Sequence, residues 1–344
     1  QIIGLFSQDQ EVIGFGVDYI RIACFSYVFS GFSGAISYNS RAIQNLTVPT
    51  IINASALCVN AVLNYLLIFG KAGCPQMGVQ GAAVATLIAR VFELAALLIY
   101  VYTRKEHPFK ASPAKIFGFG KELFIKVMRT AIPVVFTEGC WAASVALIFA
   151  AYGKLGTSAL AVAQVANVIC EMLQSVYFGV GNATAMLIGE TLGRGNKDVA
   201  FHNGKRAVKL VWILNGVMTL LMIVLSKPVA SIYNFSGETN RLLIITLITM
   251  AITITPKMIG YIYVVGILRA GGDTLFCMKL EIFCNMFIMV PLAYISVLVF
   301  HLSLPLTMLL IEVGDLVRTF VCMPRFKSRK WINIVTEVEE KDRS

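Results

Sequence analysis

Long apolar stretches recur from one end of this sequence to the other, and the charged residues gather between them. Val17–Tyr38, Pro49–Phe69, Gly81–Tyr102, Ile132–Tyr152 and Ala159–Ile188 come first. Val208–Leu225, Leu242–Leu268, Leu280–Phe300 and Leu304–Val321 follow. A helix needs about 20 apolar residues to cross the hydrocarbon core of a bilayer. Such a helix also satisfies its own backbone hydrogen bonds, which lipid cannot do for it. The pattern predicts an all-α integral-membrane protein, a polytopic helical bundle of about nine transmembrane helices. Only 14% of the residues are charged and 57% are hydrophobic, where a soluble domain carries roughly 25% charged residues.

The net charge of +10 has a placement that accounts for it. Arg104, Lys105, Lys110, Lys115, Lys121, Lys126 and Arg129 fall in one loop, 103–129. Arg194, Lys197, Lys205, Arg206 and Lys209 fall in the next basic loop, and Arg325 to Arg343 in the tail. The intervening loops hold few Lys or Arg. This alternation is the positive-inside pattern, so the basic loops are expected in the cytoplasm of a prokaryotic cell, against its inner membrane. Attraction to anionic lipid explains each cluster better than nucleic-acid binding does. With 103–129 inside, the N-terminal segment lies outside, which leads us to expect further helices upstream and hence a fragment of a longer protein.

Neither cofactor nor metal is expected. The eight cysteines are scattered with no Cys-x-x-Cys. His107, His202 and His301 have no metal-ligand spacing. No phosphate-binding loop and no catalytic set appear. Loop 103–129, with Pro108, Pro113, Gly118 and Gly120 and an amphipathic stretch Ile116–Val127, reads as a linker on the membrane surface. The expected organisation is a partial bundle over 1–102, the linker 103–129, a six-helix bundle over 130–325 and a tail over 326–344. A faint repeat supports two bundles: Arg41-Ala-Ile-Gln-Asn45 and Arg269-Ala-Gly-Gly-Asp273 each follow one apolar stretch and precede another.

Several motifs resemble the multidrug and toxic compound extrusion (MATE) family across essentially the whole chain. They are Asn60-Ala-Val-Leu-Asn64-Tyr-Leu-Leu-Ile-Phe-Gly70 and Gly78-Val-Gln-Gly81-Ala-Ala-Val-Ala-Thr86 in the first half. In the second half they are Pro133 with Glu138, Gly181-Asn-Ala-Thr-Ala, Gly189-Glu-Thr-Leu-Gly193-Arg-Gly195 and Gly266-Ile-Leu-Arg269-Ala-Gly-Gly-Asp273-Thr274. The resemblance implies two six-helix bundles around a cleft, here with the first three helices absent. It implies export of cationic or amphipathic small molecules in exchange for protons or sodium, by a protein expected to be monomeric. On the tenth family helix, where some members carry an acid, this chain has Thr255-Pro256-Lys257-Met258, which weakens the case for a two-acid sodium site.

Charges inside a bilayer cost at least about 3 kcal/mol and mark functional sites by default. Glu138 is the first candidate, as the carboxylate that binds a proton, a sodium ion or a cationic drug; the alternative is a structural acid bonded to a neighbouring helix. Lys257 pairs with Glu138 or Glu171, for exchange or for packing alone. Gln164, Asn167 and Glu171 share a helix face, facing a cavity or joining helices. Trp141 stands one turn beyond Glu138, as a stacking surface or as packing. Arg269, Asp273, Glu281 and Arg41 are candidates for a cytoplasmic gate. Arg90 and Glu93 form a structural pair, and Glu312, Asp315 and Arg318 a self-neutralising stripe. The reading is a secondary active antiporter. A lipid-linked saccharide flippase of the same superfamily is the alternative, and an integral-membrane enzyme a weaker one.

Overall fold

The computed structural model describes residues 10–43, 45–104, 108–110, 118, 120–233 and 235–332. Each predicted apolar stretch is helical over most of its length. α1 is Gln10–Ala42, α2 Thr47–Phe69 and α3 Gly78–Thr103. α4 is Lys121–Gly153, α5 Thr157–Gly193 and α6 Lys197–Tyr233. α7 is Gly237–Leu268 and α8 Thr274–Leu298. α9 is Leu304–Ile311 and α10 Val313–Lys327. Among the described residues, α1 to α8 contain the 8 helices long and apolar enough to cross a membrane. The last predicted span is broken at Glu312, leaving 8 helical residues before it and 15 from Val313.

The helices outrun the apolar stretches. α4 starts at Lys121, so the end of the predicted linker is helix, and α6 takes in most of the second basic loop. Hydropathy marks only the part of a helix that lipid covers; Lys, Arg, Glu and Ala are good helix formers that continue it into water. Residues 105–107 and 111–117, and the tail beyond 332, lie outside the described residues.

The chain divides into two compact units, Gln1–Phe119 and Gly120–Ser344, with the division inside the expected linker. In the first, α3 packs on both α1 and α2. Gly81 lets α3 approach the α2 backbone at Leu67, where a Cβ would overlap it. Arg90 Nη1 and Glu93 Oε2 pair at 2.6 Å.

The second unit has two apolar cores. One gathers Ala159, Ala163 and Ala166 of α5 with Tyr152, Met222, Leu247 and Met308; the small residues permit the close approach that drives helix association in lipid. The other joins Tyr177, Ile188, Phe201, residues 262–264 and Phe326. Trp331 belongs to this second core, fully buried, with Nε1 donating to Phe326 O at 3.0 Å. Arg329 lies over the Phe201 ring at 4.4 Å and donates to Asp198 Oδ1 at 2.6 Å. Residues 326–332, assigned to the tail on hydropathy, therefore pack on the starts of α6 and α8.

α7 and α8 each contain a π-helical segment, Ile262–Leu268 and Phe283–Met289. Such widened turns shift the side chains that follow relative to a regular helix. The two Arg-Ala-x-x-Asn/Asp motifs have matching geometry. Asn45 N–H donates to Ser40 O at 2.9 Å and Asp273 N–H to Leu268 O at 3.0 Å. Asn45 Nδ2 then reaches Tyr100 of α3 at 2.7 Å, and Arg325 of α10 reaches Asp273 Oδ2 at 2.7 Å. Each motif thus ties its turn to a later helix of its own unit. The hydrogen bond that Arg325 donates to Asp273 raises the pKa of Arg325, which stays charged.

Candidate functional site

A cavity opens inside the second unit. α4 lines it with Trp141, Phe149 and Tyr152, α5 with Asn167, and α7 with Thr253 and Lys257. α8 adds Asn285 and Met289, α9 Met308, and the break after α9 places Glu312 there beside Asp315 and Arg318 of α10. Two glycines make the room. A Cβ at Gly314 would overlap Met289, and one at Gly260 would lie 3.3 Å from Arg318 Cδ. Pro256 sits one residue before Lys257, and its carbonyl accepts from Thr319 Oγ1 at 2.9 Å, which fixes α10 against α7 at the level of the lysine.

The charges form a row of alternating sign. Arg269 Nη1 donates to Glu138 Oε1 at 2.9 Å, and Nη2 to Glu281 Oε2 at 3.2 Å. Arg318 Nε lies 3.7 Å from Glu281 Oε1. Arg318 Nη1 is paired with Asp315, and Nη2 donates to Asn285 Oδ1 at 2.7 Å. The inner end is buried, with the Asp315 side chain 2% exposed and that of Arg318 10%. Two groups in the cavity stand apart from this pairing. Glu312 Oε2 is buried without a hydrogen-bond partner among the described residues. Lys257 faces the cavity with no ion pair among them.

The residues singled out from sequence separate into three places. Trp141, Asn167 and Lys257 line the cavity. Glu138, Arg269 and Glu281 meet in the charge row, but Glu138 is 57% exposed at its outer end, not buried among apolar groups. Lys257 pairs with neither Glu138 nor Glu171: Arg269 holds the first, and Asn167 Nδ2 donates to Glu171 Oε1 at 2.8 Å. Gln164 and Glu171 are exposed. Asp273 is engaged by Arg325. Arg41 falls in the last turn of α1, with its side chain outside the described residues. Sequence reasoning passed over Glu312, Asp315, Arg318 and Asn285 as site residues. Their signal was present: three ionisable residues within seven positions of an apolar stretch, a density that lipid penalises.

The family model described as MatE matches residues 1–66 and 133–295. The chain belongs to the MatE family. It is thus a multi-pass membrane protein of a transporter family and not an enzyme. One MatE relative is the probable multidrug resistance protein YoeA of Bacillus subtilis, 24% identical over 300 residues. Those residues cover 86% of this chain and 64% of the relative. Another is the uncharacterized transporter YisQ of the same organism, 27% identical over 278 residues, covering 80% of this chain and 60% of the relative. The chain thus spans less than two thirds of the length of both relatives. The crystal structure of MATE in complex with MaL6 shares the fold, with a TM-score of 0.81 at 18% identity, covering 94% of this chain and 72% of that one.

Proposed function

We propose that this MatE chain acts as a secondary active exporter of organic cations and amphipathic drugs, driven by inward protons or sodium ions through alternating access. The multidrug resistance proteins among its relatives support the cargo class. The observation that carries the exchange is Glu312, whose Oε2 is buried and unpartnered in a cavity walled by Trp141, Phe149, Tyr152 and methionines. A drug cation gains there both apolar burial and a carboxylate. Two unit charges about 4 Å apart attract by about 4 kcal/mol at an effective dielectric of 20. A coupling ion on the same carboxylate forfeits that attraction for the drug, so the two exclude one another, and mutual exclusion at one site is exchange. Lys257, on its flexible four-carbon stem, moves aside when a drug enters. Glu138 is held by Arg269, so the coupling role suits Glu312 better, with Glu138 and Arg269 positioning the row. A flippase for lipid-linked saccharides would need unmatched bases, whereas here Lys257 and Arg318 face Glu312 and Asp315. We expect the protein to work as a monomer in the cytoplasmic membrane.

The test is drug uptake into proteoliposomes under an imposed ion gradient, normalised to folded protein. Glu312→Gln is expected to lower gradient-driven uptake by about tenfold or more, the loss expected when an essential interaction is removed. Glu138→Gln is expected to stay gradient-dependent. Wild-type rates with full gradient dependence in Glu312→Gln would sink the assignment.

A further inference from the structure

We propose that the segment Arg325–Trp331 is a strap that sets the register of the π-helical end of α7, with Arg325 and Trp331 as positioning residues for Arg269. Its bearing on transport rests on the export reading above; the strap itself does not.

The strap acts on the turn between α7 and α8. Arg269 N–H donates to Val264 O and Asp273 N–H to Leu268 O, both at 3.0 Å. Each bond reaches back five residues, so the wide register of Ile262–Leu268 continues into the turn. Gly272 N–H donates to Arg269 O at 3.0 Å, which closes the turn on itself. A regular α-helix turns by about 100° per residue, so shifting the wide bonds by one residue would rotate all that follows by about that angle. Arg269 stands just past the wide segment. In the present register it bridges Glu138 of α4 and Glu281 of α8, at 2.9 and 3.2 Å. Rotation by that angle would withdraw it from both.

The strap grips the turn beyond Arg269 at two points. Arg325 Nε donates to Asp273 Oδ2 at 2.7 Å, with its guanidinium 4.8 Å from the Phe276 ring centre. Trp331 lies against Gly271, where a Cβ would overlap its ring and its carbonyl. Phe326 packs inside the wide segment itself, on Tyr263 with ring centroids 5.6 Å apart. The strap is anchored in turn on α6. Phe326 fits over Gly204, which has no Cβ to obstruct it, and Arg329 donates to Asp198. It is also stiff, since Phe326 O accepts both Arg329 N–H at 3.2 Å and Trp331 Nε1–H at 3.0 Å. α6 thus holds the strap, the strap holds Gly271 and Asp273, and these fix the direction of Arg269.

The first test needs no transport. The Arg269–Glu281 coupling is read as the difference between the midpoint shift of Arg269→Gln/Glu281→Gln and the sum of the two single shifts. The otherwise wild-type chain is expected to show such a difference. Arg325→Met or Trp331→Leu in the background should reduce it by about half or more, and Arg325→Lys, which keeps the charge at Asp273, should restore it. No difference in the wild-type background, or an undiminished one in Arg325→Met, overturns the proposal. Should Trp331→Leu not fold, Arg325→Met decides by itself. The second test is uptake of ethidium, a monovalent aromatic cation, into proteoliposomes under an imposed ion gradient, per folded protein. Arg325→Met and Arg269→Gln should each lower it by about threefold or more, and the double variant no further than Arg269→Gln alone. Losses that multiply would show the strap acting other than through Arg269, and overturn the proposal. If the wild type moves no ethidium, the export reading fails for this cation, while the midpoint cycle still decides the strap.

Discussion

Arg318 pairs through Nη1 with Asp315 and donates Nη2 to Asn285, while its Nε lies 3.7 Å from Glu281 Oε1 with no hydrogen bond among the described residues. Removing one partner from such a buried group leaves an uncompensated charge. Asp315→Ala should therefore lower stability by about 3–5 kcal/mol, read as a fall in the detergent melting midpoint. Asp198→Ala breaks a pair whose carboxylate is 77% exposed and should change it by about 0–1 kcal/mol. Equal losses in the two variants would contradict the difference in burial. Glycines offer a second contrast. A Cβ at Gly271 would overlap both the ring and the backbone of Trp331, so Gly271→Ala should destabilise by about 1–3 kcal/mol. Gly216, inside α6, has no neighbour within 4 Å of its added Cβ. Gly216→Ala should be neutral or stabilising by about 1 kcal/mol. At this scale the Arg90–Glu93 and Asp315–Arg318 pairs were legible, because three-residue spacing on a helix brings side chains together. Glu312 was read as part of a self-neutralising stripe because spacing alone does not show that Arg318 is taken by Asp315 and Asn285.

Individual elements repeat the pattern. Hydropathy located the spans, since burial in lipid demands length and apolarity that few other contexts require. It could not locate helix ends, since charged residues outside the lipid still favour helix. Nor could it find the break at Glu312, flanked as it is by leucines, isoleucine and valine. The end of α10 and the segment after it are the clearest miss: their charge reads as a solvated tail, yet Phe326 and Trp331 are core residues. Phe326 stacks on Phe201 with ring centroids 4.9 Å apart and on Trp331 at 5.8 Å. Trp331→Ala should cost about 3–5 kcal/mol. Its signature would be earlier proteolysis at the starts of α6 and α8 rather than uniform melting; an unchanged cleavage pattern and midpoint would show that the packing there is dispensable.

For the whole molecule, the alternation of basic and bare loops sets the expected orientation. Cys74, half-buried in the turn between α2 and α3, should react with a membrane-impermeant maleimide in intact cells. A cysteine introduced at Lys110 should react only after permeabilisation, and the reverse labelling would invert the topology. The duplication of the Arg-Ala-x-x-Asn/Asp turn was legible as spacing, but its meaning came from the equal backbone bonds and the equal reach to a later helix in each unit. The cavity's charge balance has an electrical consequence. Its two acids and two bases cancel when all are ionised. A proton on Glu312 and a monovalent drug cation each add one positive charge, so the two loaded forms are electrically alike. One-for-one exchange then carries no current. A potential imposed with valinomycin should leave the uptake of a monovalent cation unchanged, while a divalent drug, carrying a second charge worth about 2.3 kcal/mol per 100 mV, should respond to it.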